Sequence, residues 1–338
     1  MTFNILVIFT GGTIGSSAGD GYVAPDEHKK YQLLELYKKR AKDDVEFKTI
    51  SPYQVLSENT TFGTYQMLYE CLKNIEFDKY DGVIITHGTD TIQYTSAFAG
   101  YMLNGIRVPV VFVSANYILD DVRSNGVDNF YYAVRFICSQ AGKGVFVSYK
   151  NEGDTPKIHR ATRLLAHEVH SDEIYSVCNQ IYGYFQDDKF VMGNIKDREA
   201  AEKDYEKVNF EPVQEDWKPG VLQIYPSVGM TYPKLTKDIK AVLHHTYHSG
   251  TICSHGEDLQ NFAKEAKELQ IPVFVVGRGL GTDYESIKIF EDAGFIELPV
   301  CTPIASYIKL CLCTICGYDR EKMTEVMMRN IADDIVMP

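Results

Sequence analysis

The chain has 338 residues, of which 45% are hydrophobic and 24% charged, a composition that excludes fibrous and disordered classes. Its formal net charge of −12 repels phosphate backbones, and no run of Lys and Arg offsets that charge, so we expect no nucleic-acid partner. A chain of this length typically forms two domains.

The first residues carry no basic segment and run directly into a short apolar stretch, Ile5 to Phe9. A secretion signal would need a basic segment followed by a longer apolar one. No run elsewhere approaches the roughly 18 apolar residues of a membrane span. Eight cysteines are also too few for a disulfide framework in a chain of this size. We therefore expect a cytoplasmic protein without membrane contact.

Short apolar runs that end in polar turns predict the strands of a first domain. Between them, residues 65–75 and 91–103 carry the apolar spacing of core-facing helices. Strands that alternate with helices are typical of a parallel sheet wrapped by helices. We therefore predict an α/β fold whose larger N-terminal domain, residues 1–195, has a mostly parallel sheet flanked by helices. The predicted strands are 5–9, 82–86, 108–113 and 144–148.

A polar, charge-rich stretch, residues 196–219, lacks an apolar stripe and is interpreted as an interdomain linker. Periodic patterns resume after it and predict a smaller C-terminal α/β domain, residues 220–338. The apolar runs of that domain are 221–225, 239–243 and 272–276, and its helical segments are 258–269, 286–293, 303–316 and 320–331.

Four cysteines lie near the C-terminus, and two of them form a C-x-x-C. A zinc site would need a second set of ligands nearby, whereas the neighbouring residues are leucines and isoleucine. We therefore interpret the segment as a buried helix and expect no metal. The four residues are Cys301, Cys311, Cys313 and Cys316.

Two hydroxyl-bearing turns follow predicted strands. The first is Thr10-Gly-Gly-Thr13, whose glycines permit a tight turn and close approach to a ligand, although a plain turn capped by Thr13 fits as well. The second is His87-Gly-Thr-Asp-Thr91, in which Asp90 could activate Thr89 or could simply cap the next helix. Because ligands bind beyond the carboxyl ends of parallel strands, these turns and Ser114 are expected to share one pocket.

The order of these two turns resembles that of the bacterial-type L-asparaginase family. The resemblance continues through Gly21-Tyr22, Ser57-Glu58 and residues 109–113 and 123–129, and covers essentially the whole chain. The cytoplasmic, type I members are the most similar. The resemblance implies hydrolysis of L-asparagine to aspartate and ammonia without a cofactor. It also implies a homodimer or homotetramer with active sites near subunit interfaces.

The resemblance assigns a role to each matching position. Thr13 would be the nucleophile, and Tyr22 its hydroxyl partner from a lid at roughly residues 16–26. Thr89 and Asp90 would be the second threonine and its carboxylate. Apart from the resemblance, His87 at a strand end is interpreted as a structural residue that orients the turn. The implied substrate-binding residues are Gly12, Ser57, Glu58, Gly88, Ser114 and Ala115.

Two positions depart from the family pattern. Arg163 stands where a lysine is expected. An arginine can supply charge but cannot act as a general base. Lys157, nearby in the chain, is an alternative counterpart of that lysine. Asn125 stands where the family carries aspartate. Two alternatives therefore stay open: a weak or silent asparaginase fold that only binds aspartate or asparagine, and a hydrolase of glutamine or another small amide.

Overall fold

The computed structural model describes residues 2–19, 22–26, 29–41, 44–195, 207–254, 256–279 and 284–337. The chain divides into two compact units, Met1–Asp204 and Tyr205–Pro338. The first part of the predicted linker, residues 196–206, lies outside the described ranges. In its remainder, Val208, Phe210 and Trp217 are buried.

The first unit is built on one large sheet, with a small hairpin beside it. Its strands are β1 (Phe3–Phe9), β2 (Ser16–Gly19), β3 (Tyr22–Pro25), β4 (Val45–Ile50), β5 (Gly82–Thr86), β6 (Pro109–Val113), β7 (Gly144–Tyr149), β8 (Lys157–Arg160), β9 (Gly183–Gln186) and β10 (Lys189–Met192).

Within the described residues the large sheet has eight strands in the order β10-β9-β8-β7-β6-β5-β1-β4. The five strands from β7 to β4 are parallel to one another, while β8, β9 and β10 extend the sheet in antiparallel pairs. Strands β5 and β6 are buried at every position, as expected for parallel strands that helices cover on both faces. The predicted mostly parallel sheet is confirmed.

Helices cover both faces of this sheet. One face packs against α1 and α4 in a continuous apolar cluster, in which the rings of Tyr37 and Phe130 meet edge to face at 5.6 Å. Ile8 and Ile85 are equally buried but lie outside that cluster, on the face of the sheet where α3 contacts β7. The helices of this unit are α1 (Lys29–Arg40), α2 (Phe62–Lys73), α3 (Ile92–Met102) and α4 (Gly126–Ser139).

The second unit has a parallel sheet of four strands within its described residues, in the order β11-β12-β13-β14. Its strands are β11 (Val221–Ile224), β12 (Ala241–His245), β13 (Val273–Val276) and β14 (Ile296–Glu297), and its helices α5 (Asp258–Glu268), α6 (Lys288–Ala293), α7 (Pro303–Ile315) and α8 (Arg320–Met328). None of the described helices is both long and apolar enough to cross a bilayer.

Helix α7 contains two of the four C-terminal cysteines. Cys311 and Cys313 are fully buried, and burial raises the pKa of both thiols. Among the described residues, no three His, Cys, Asp or Glu side chains gather into a metal-binding group.

Candidate active site

The turns after β1 and β5 touch each other through their backbones. These strands are parallel neighbours with Phe9 opposite Thr86, so the turns begin at the same edge of the sheet. The hydroxyl of Thr10 donates a 2.5 Å hydrogen bond to the carbonyl of Thr86. A methyl group on Gly12 would lie 2.3 Å from the backbone nitrogen of Gly88. Only glycine permits this approach, and Gly12 also has a φ of +82°.

Thr13 and Thr89 each follow one of the touching glycines. Thr13 opens a short 3-10 turn, Thr13–Gly15, and is half-buried. Thr89 is half-buried as well. The two predicted catalytic hydroxyl residues therefore stand one position beyond a direct backbone contact between Gly12 and Gly88. That their side chains share one pocket stays a prediction.

A third segment, residues 55–58, completes this edge. The backbone nitrogen of Gly12 donates to the carbonyl of Val55 at 3.2 Å. Ser57 is buried, and its hydroxyl donates to the Asp90 carboxylate at 2.9 Å. Glu58, next to it, is exposed. Ser57, Glu58 and Asp90 thus supply one hydroxyl and two carboxylates beside the paired turns.

The hydroxyl of Thr91 does not cap the helix that follows it. Thr91 occupies the N-cap position of α3, yet its side chain makes no capping hydrogen bond. Its hydroxyl instead donates to the carbonyl of Ser57 at 2.9 Å. This bond and the one between Ser57 and Asp90 both join the second turn to residues 55–58.

His87 is held inside the second turn rather than at its surface. It is 3% exposed, and its Nδ1 lies 2.8 Å from the carbonyl oxygen of Gly88. A carbonyl can only accept, so Nδ1 carries the hydrogen. Burial lowers the pKa of His87 to about 4, so the ring is neutral near pH 7. This geometry suits a residue that orients the turn.

Both ends of the predicted lid are tied to the first turn. Strands β2 and β3 pair as an antiparallel hairpin with Gly19 opposite Tyr22. The hydroxyl of Ser16 donates to the carbonyl of Gly12 at 2.8 Å, and the backbone nitrogen of Asp26 donates to the carbonyl of Gly15 at 3.0 Å. The side chain of Tyr22, like residues 20 and 21, lies outside the described part, so its role stays a prediction.

Ser114 and Ala115 follow β6, the strand next to β5. The backbone nitrogen of His87 donates to the carbonyl of Val113 at 2.9 Å, which brings this strand end to the second turn. The side chains of Ser114 and Ala115 are fully buried. Neither residue is therefore exposed at this edge of the sheet.

Arg163 lies on a different element from the other predicted residues. It ends the 3-10 turn Ala161–Arg163, which packs on α3 and β7. Its side chain is 1% exposed, and its guanidinium donates to the Gln180 amide oxygen at 3.3 Å. Lys157, the alternative counterpart, is paired with Asp154 at the other end of β8. Which of the two is the counterpart of the family's lysine stays a prediction.

Sequence reasoning missed two positions in this region. Gln180, which binds Arg163, follows the short turn Val177–Asn179 and has no motif that marks it. Asn129 lies on α4, and its amide donates to the carbonyl of Ser114 at 2.8 Å. It belongs to the stretch 123–129 that carried the resemblance, which was the available signal.

Comparison with known proteins identifies the family. The family description "Asparaginase, N-terminal" matches residues 4–192, more than half of the chain. The chain belongs to the asparaginase family. This confirms the resemblance inferred from the two turns, and it makes the protein an amidohydrolase.

Members of the asparaginase family match this chain over nearly its full length. An L-asparaginase of Thermococcus kodakarensis is 26% identical over 344 residues, which cover 98% of each chain. L-asparaginase 1 of Escherichia coli is 25% identical over 353 residues, again covering 98% of each chain. The solved thermostable L-asparaginase of Thermococcus kodakarensis has a TM-score of 0.78 at 25% identity, with 99% and 100% of the chains covered. The likeness therefore includes both units.

Other relatives are named for a different function. One component of the glutamyl-tRNA(Gln) amidotransferase of Methanobrevibacter smithii is 25% identical to this chain over 351 residues. The match covers 98% of this chain but 76% of that protein. Membership of the family therefore does not by itself fix the amide substrate.

Proposed function

We propose that this protein hydrolyses the side-chain amide of L-asparagine to give L-aspartate and ammonia. The observation that carries the proposal is the backbone contact between Gly12 and Gly88, which brings the turns of Thr13 and Thr89 together. The L-asparaginases among its relatives support the same substrate. A cytoplasmic location and a homodimer or homotetramer remain predictions from the sequence.

The proposed reaction begins with attack of the Thr13 hydroxyl oxygen on the amide carbon. The hydroxyl proton passes to the hydroxyl partner Tyr22 and on to the leaving nitrogen, which departs as ammonia. Backbone N–H groups near the first turn and residue 114 stabilise the oxyanion. Water then cleaves the acyl ester, which releases aspartate and restores the Thr13 hydroxyl. Thr89, with Asp90 beside it, is the second threonine of the site.

Recognition of an amino-acid substrate follows from the charges at this edge. The substrate's α-ammonium group needs carboxylates, which Asp90 and the exposed Glu58 supply. Its α-carboxylate needs hydroxyl and N–H donors. Ser57 donates its one hydroxyl hydrogen to Asp90, so it orients the carboxylate that binds the ammonium group.

A coupled ammonia assay with asparagine and glutamine side by side tests this proposal. We expect ammonia from asparagine, and a loss of about a hundredfold or more in kcat for Thr13→Ala. Thr236→Ala, an exposed threonine of the second unit, is the matched control and should keep full activity. A folded wild-type protein that releases no ammonia from asparagine would contradict the proposal. Faster release from glutamine would reassign the substrate.

A second candidate is a weak or silent asparaginase fold that binds aspartate or asparagine, and buried Arg163 favours it. A guanidinium stays protonated, so Arg163 cannot accept a proton as a buried lysine can. Arg163→Lys distinguishes the two candidates. A rise of tenfold or more in ammonia release would support the weak or silent fold. Equal or lower release would show that Arg163 serves the working enzyme.

A further inference from the structure

Helix α1 supports the first turn from behind. It packs against the 3-10 turn Thr13–Gly15, which opens with the proposed nucleophile. Ile14, the residue after that nucleophile, is 1% exposed and belongs to the same apolar cluster as Leu33 of α1. The position of the first turn therefore depends on where α1 begins and on how firmly it is held.

Two backbone hydrogen bonds join the start of α1 to this turn. The backbone nitrogen of Asp26 donates to the carbonyl of Gly15 at 3.0 Å. The backbone nitrogen of Lys29, the first residue of α1, donates to the carbonyl of Asp26 at 3.1 Å. A displacement of the helix start would therefore reach the turn through two consecutive bonds.

A carboxylate from a distant loop holds the start of α1. The Lys29 ammonium donates to one oxygen of Asp120 at 2.5 Å, and the Gln32 amide donates to the other oxygen at 2.6 Å. The hydrogen bonds from Lys29 and Gln32 lower the pKa of the Asp120 carboxyl, so it is ionised near pH 7. Asp120 thus binds two side chains of the first helical turn at once.

The charge of Asp120 suits the end of the helix that it binds. The N-terminal end of a helix carries a partial positive charge, which acidic residues stabilise. The first turn of α1 contains no acidic residue and begins with Lys29 and Lys30. Asp120 therefore supplies, from another loop, the negative charge that the first turn of α1 lacks.

The loop that carries Asp120 is itself well fixed. The guanidinium of Arg123 donates to both oxygens of the Asp121 carboxylate, at 3.0 and 2.6 Å. Leu119, next to Asp120, is buried in the apolar cluster that also contains Ile14. The loop therefore offers a firm anchor for the start of α1.

We propose that Asp120 is a positioning residue for the Thr13 hydroxyl. It fixes the start of α1 and, through Lys29 and Asp26, the turn that carries Thr13. This inference rests on the proposed function. Loss of Asp120 would displace the nucleophile and leave the predicted substrate-binding residues of the 55–58 segment in place, so kcat should change more than KM.

Asp120→Ala removes both bonds at the start of the helix. We expect kcat for asparagine to fall about threefold to tenfold, with KM within about twofold of wild type. Asp120→Asn keeps an oxygen acceptor but loses the charge, so its kcat should lie between the two. Both variants should fold, because 50% of the Asp120 side chain is exposed and such ion pairs contribute little to global stability. An unchanged kcat in Asp120→Ala would overturn the inference.

Arg40→Met is the matched control. Arg40 pairs with Asp128 at the opposite end of the same helix, so this variant weakens the attachment of α1 without touching its start. We expect some loss of stability with kcat within about twofold of wild type. An equal fall in kcat in Arg40→Met and Asp120→Ala would assign the effect to the packing of α1 in general and contradict the inference.

A double variant tests whether Asp120 acts through Lys29. If it does, Lys29→Met combined with Asp120→Ala should lower kcat no further than Asp120→Ala alone. A fall equal to the product of the two single effects would mean that the residues act independently, which the inference does not allow.

Hydrogen–deuterium exchange at the backbone amide of Asp26 provides a readout that does not depend on activity. This amide is bonded to Gly15, so its exchange should be faster in Asp120→Ala than in Arg40→Met. Equal exchange in the two variants would overturn the inference. If wild-type protein releases no ammonia, the proposed function fails, and the exchange rates alone decide whether Asp120 holds the first turn.

Discussion

The Ser57 hydroxyl donates a 2.9 Å hydrogen bond to the Asp90 carboxylate, which joins two loops 33 residues apart in the chain. Ser57 is 4% exposed, whereas Asp90 is exposed, so the serine anchors the carboxylate from the protein side. One side chain thereby connects the predicted substrate-binding loop to the second threonine turn.

Ser57→Ala should raise KM for asparagine about tenfold, because the Asp90 carboxylate, which binds the substrate's ammonium group, loses the hydroxyl that orients it. The effect on kcat should be smaller. Steady-state kinetics with asparagine measure both. Ser139→Ala, which removes a hydroxyl bonded to Phe136 at the end of α4, is the control. An unchanged KM in Ser57→Ala would argue against a role of this loop in binding.

Gly88→Ala should disrupt the paired turns. The added methyl group would lie 2.4 Å from the hydroxyl oxygen of Ser57, so one of the two loops must move. We expect a loss of about 1–3 kcal/mol in the free energy of unfolding and a fall in kcat of tenfold or more. Gly63→Ala, whose methyl group would meet nothing closer than 3.5 Å, should have little effect on either. Equal behaviour of the two variants would refute the close contact.

Acid should destabilise the protein in part through His87. Its pKa is lowered to about 4 by burial, against 6.5 when it is exposed, so between these values the unfolded chain binds the extra proton. The contribution of His87 to stability is therefore complete above pH 6.5 and is lost as the pH falls toward 4. Glutamine in His87→Gln keeps a hydrogen-bond donor but does not titrate. Between pH 6.5 and 4, the variant should therefore lose up to roughly 3 kcal/mol less free energy of unfolding than the wild type, as measured by denaturant unfolding. An identical pH dependence would assign the effect to other groups, such as buried His159.

Lys309 and Asp334 form a buried ion pair in the second unit at 2.8 Å, with both side chains no more than 3% exposed. Lys309 also donates to the carbonyl of Arg329 at 2.5 Å, so it holds the C-terminal segment against α7. Lys309→Met should cost about 3–5 kcal/mol in the free energy of unfolding, because it leaves a buried carboxylate without its partner. Combining it with Asp334→Asn should recover part of that loss. Lys322→Met, which breaks an exposed pair with Glu325, should cost under about 1 kcal/mol.

The central strands of the first unit could be predicted closely from the sequence. Residues 82–86 were predicted as a strand and form β5 with the same bounds, because a parallel strand buried on both faces is apolar throughout. Edge strand β4, Val-Glu-Phe-Lys-Thr-Ile, was missed, since most of its side chains are exposed and break any apolar run. Strands β8 to β10 were missed as well. They are short, and their pairing depends on partners distant in the chain.

Some residues of the candidate site could be predicted from the local sequence, and others could not. Thr13, Thr89 and Asp90 were identified because each lies in a short turn whose glycines and hydroxyl residues are adjacent in the sequence. Asn129 and Gln180 were not, because their importance depends on what they bond across the fold. Residue type alone does not distinguish such an amide from an ordinary surface one.

By itself, the sequence determined which strands are buried and which turns carry hydroxyl and carboxylate groups, since burial and turn chemistry depend on neighbours within a few residues. Only the tertiary structure decided that Gly12 touches Gly88, that Ser57 binds Asp90 and that Asn129 holds the Ser114 carbonyl. Each of these contacts joins segments that sheet order brings together. Hydrogen bonds and steric contacts act over a few ångströms in space, whatever the separation along the chain.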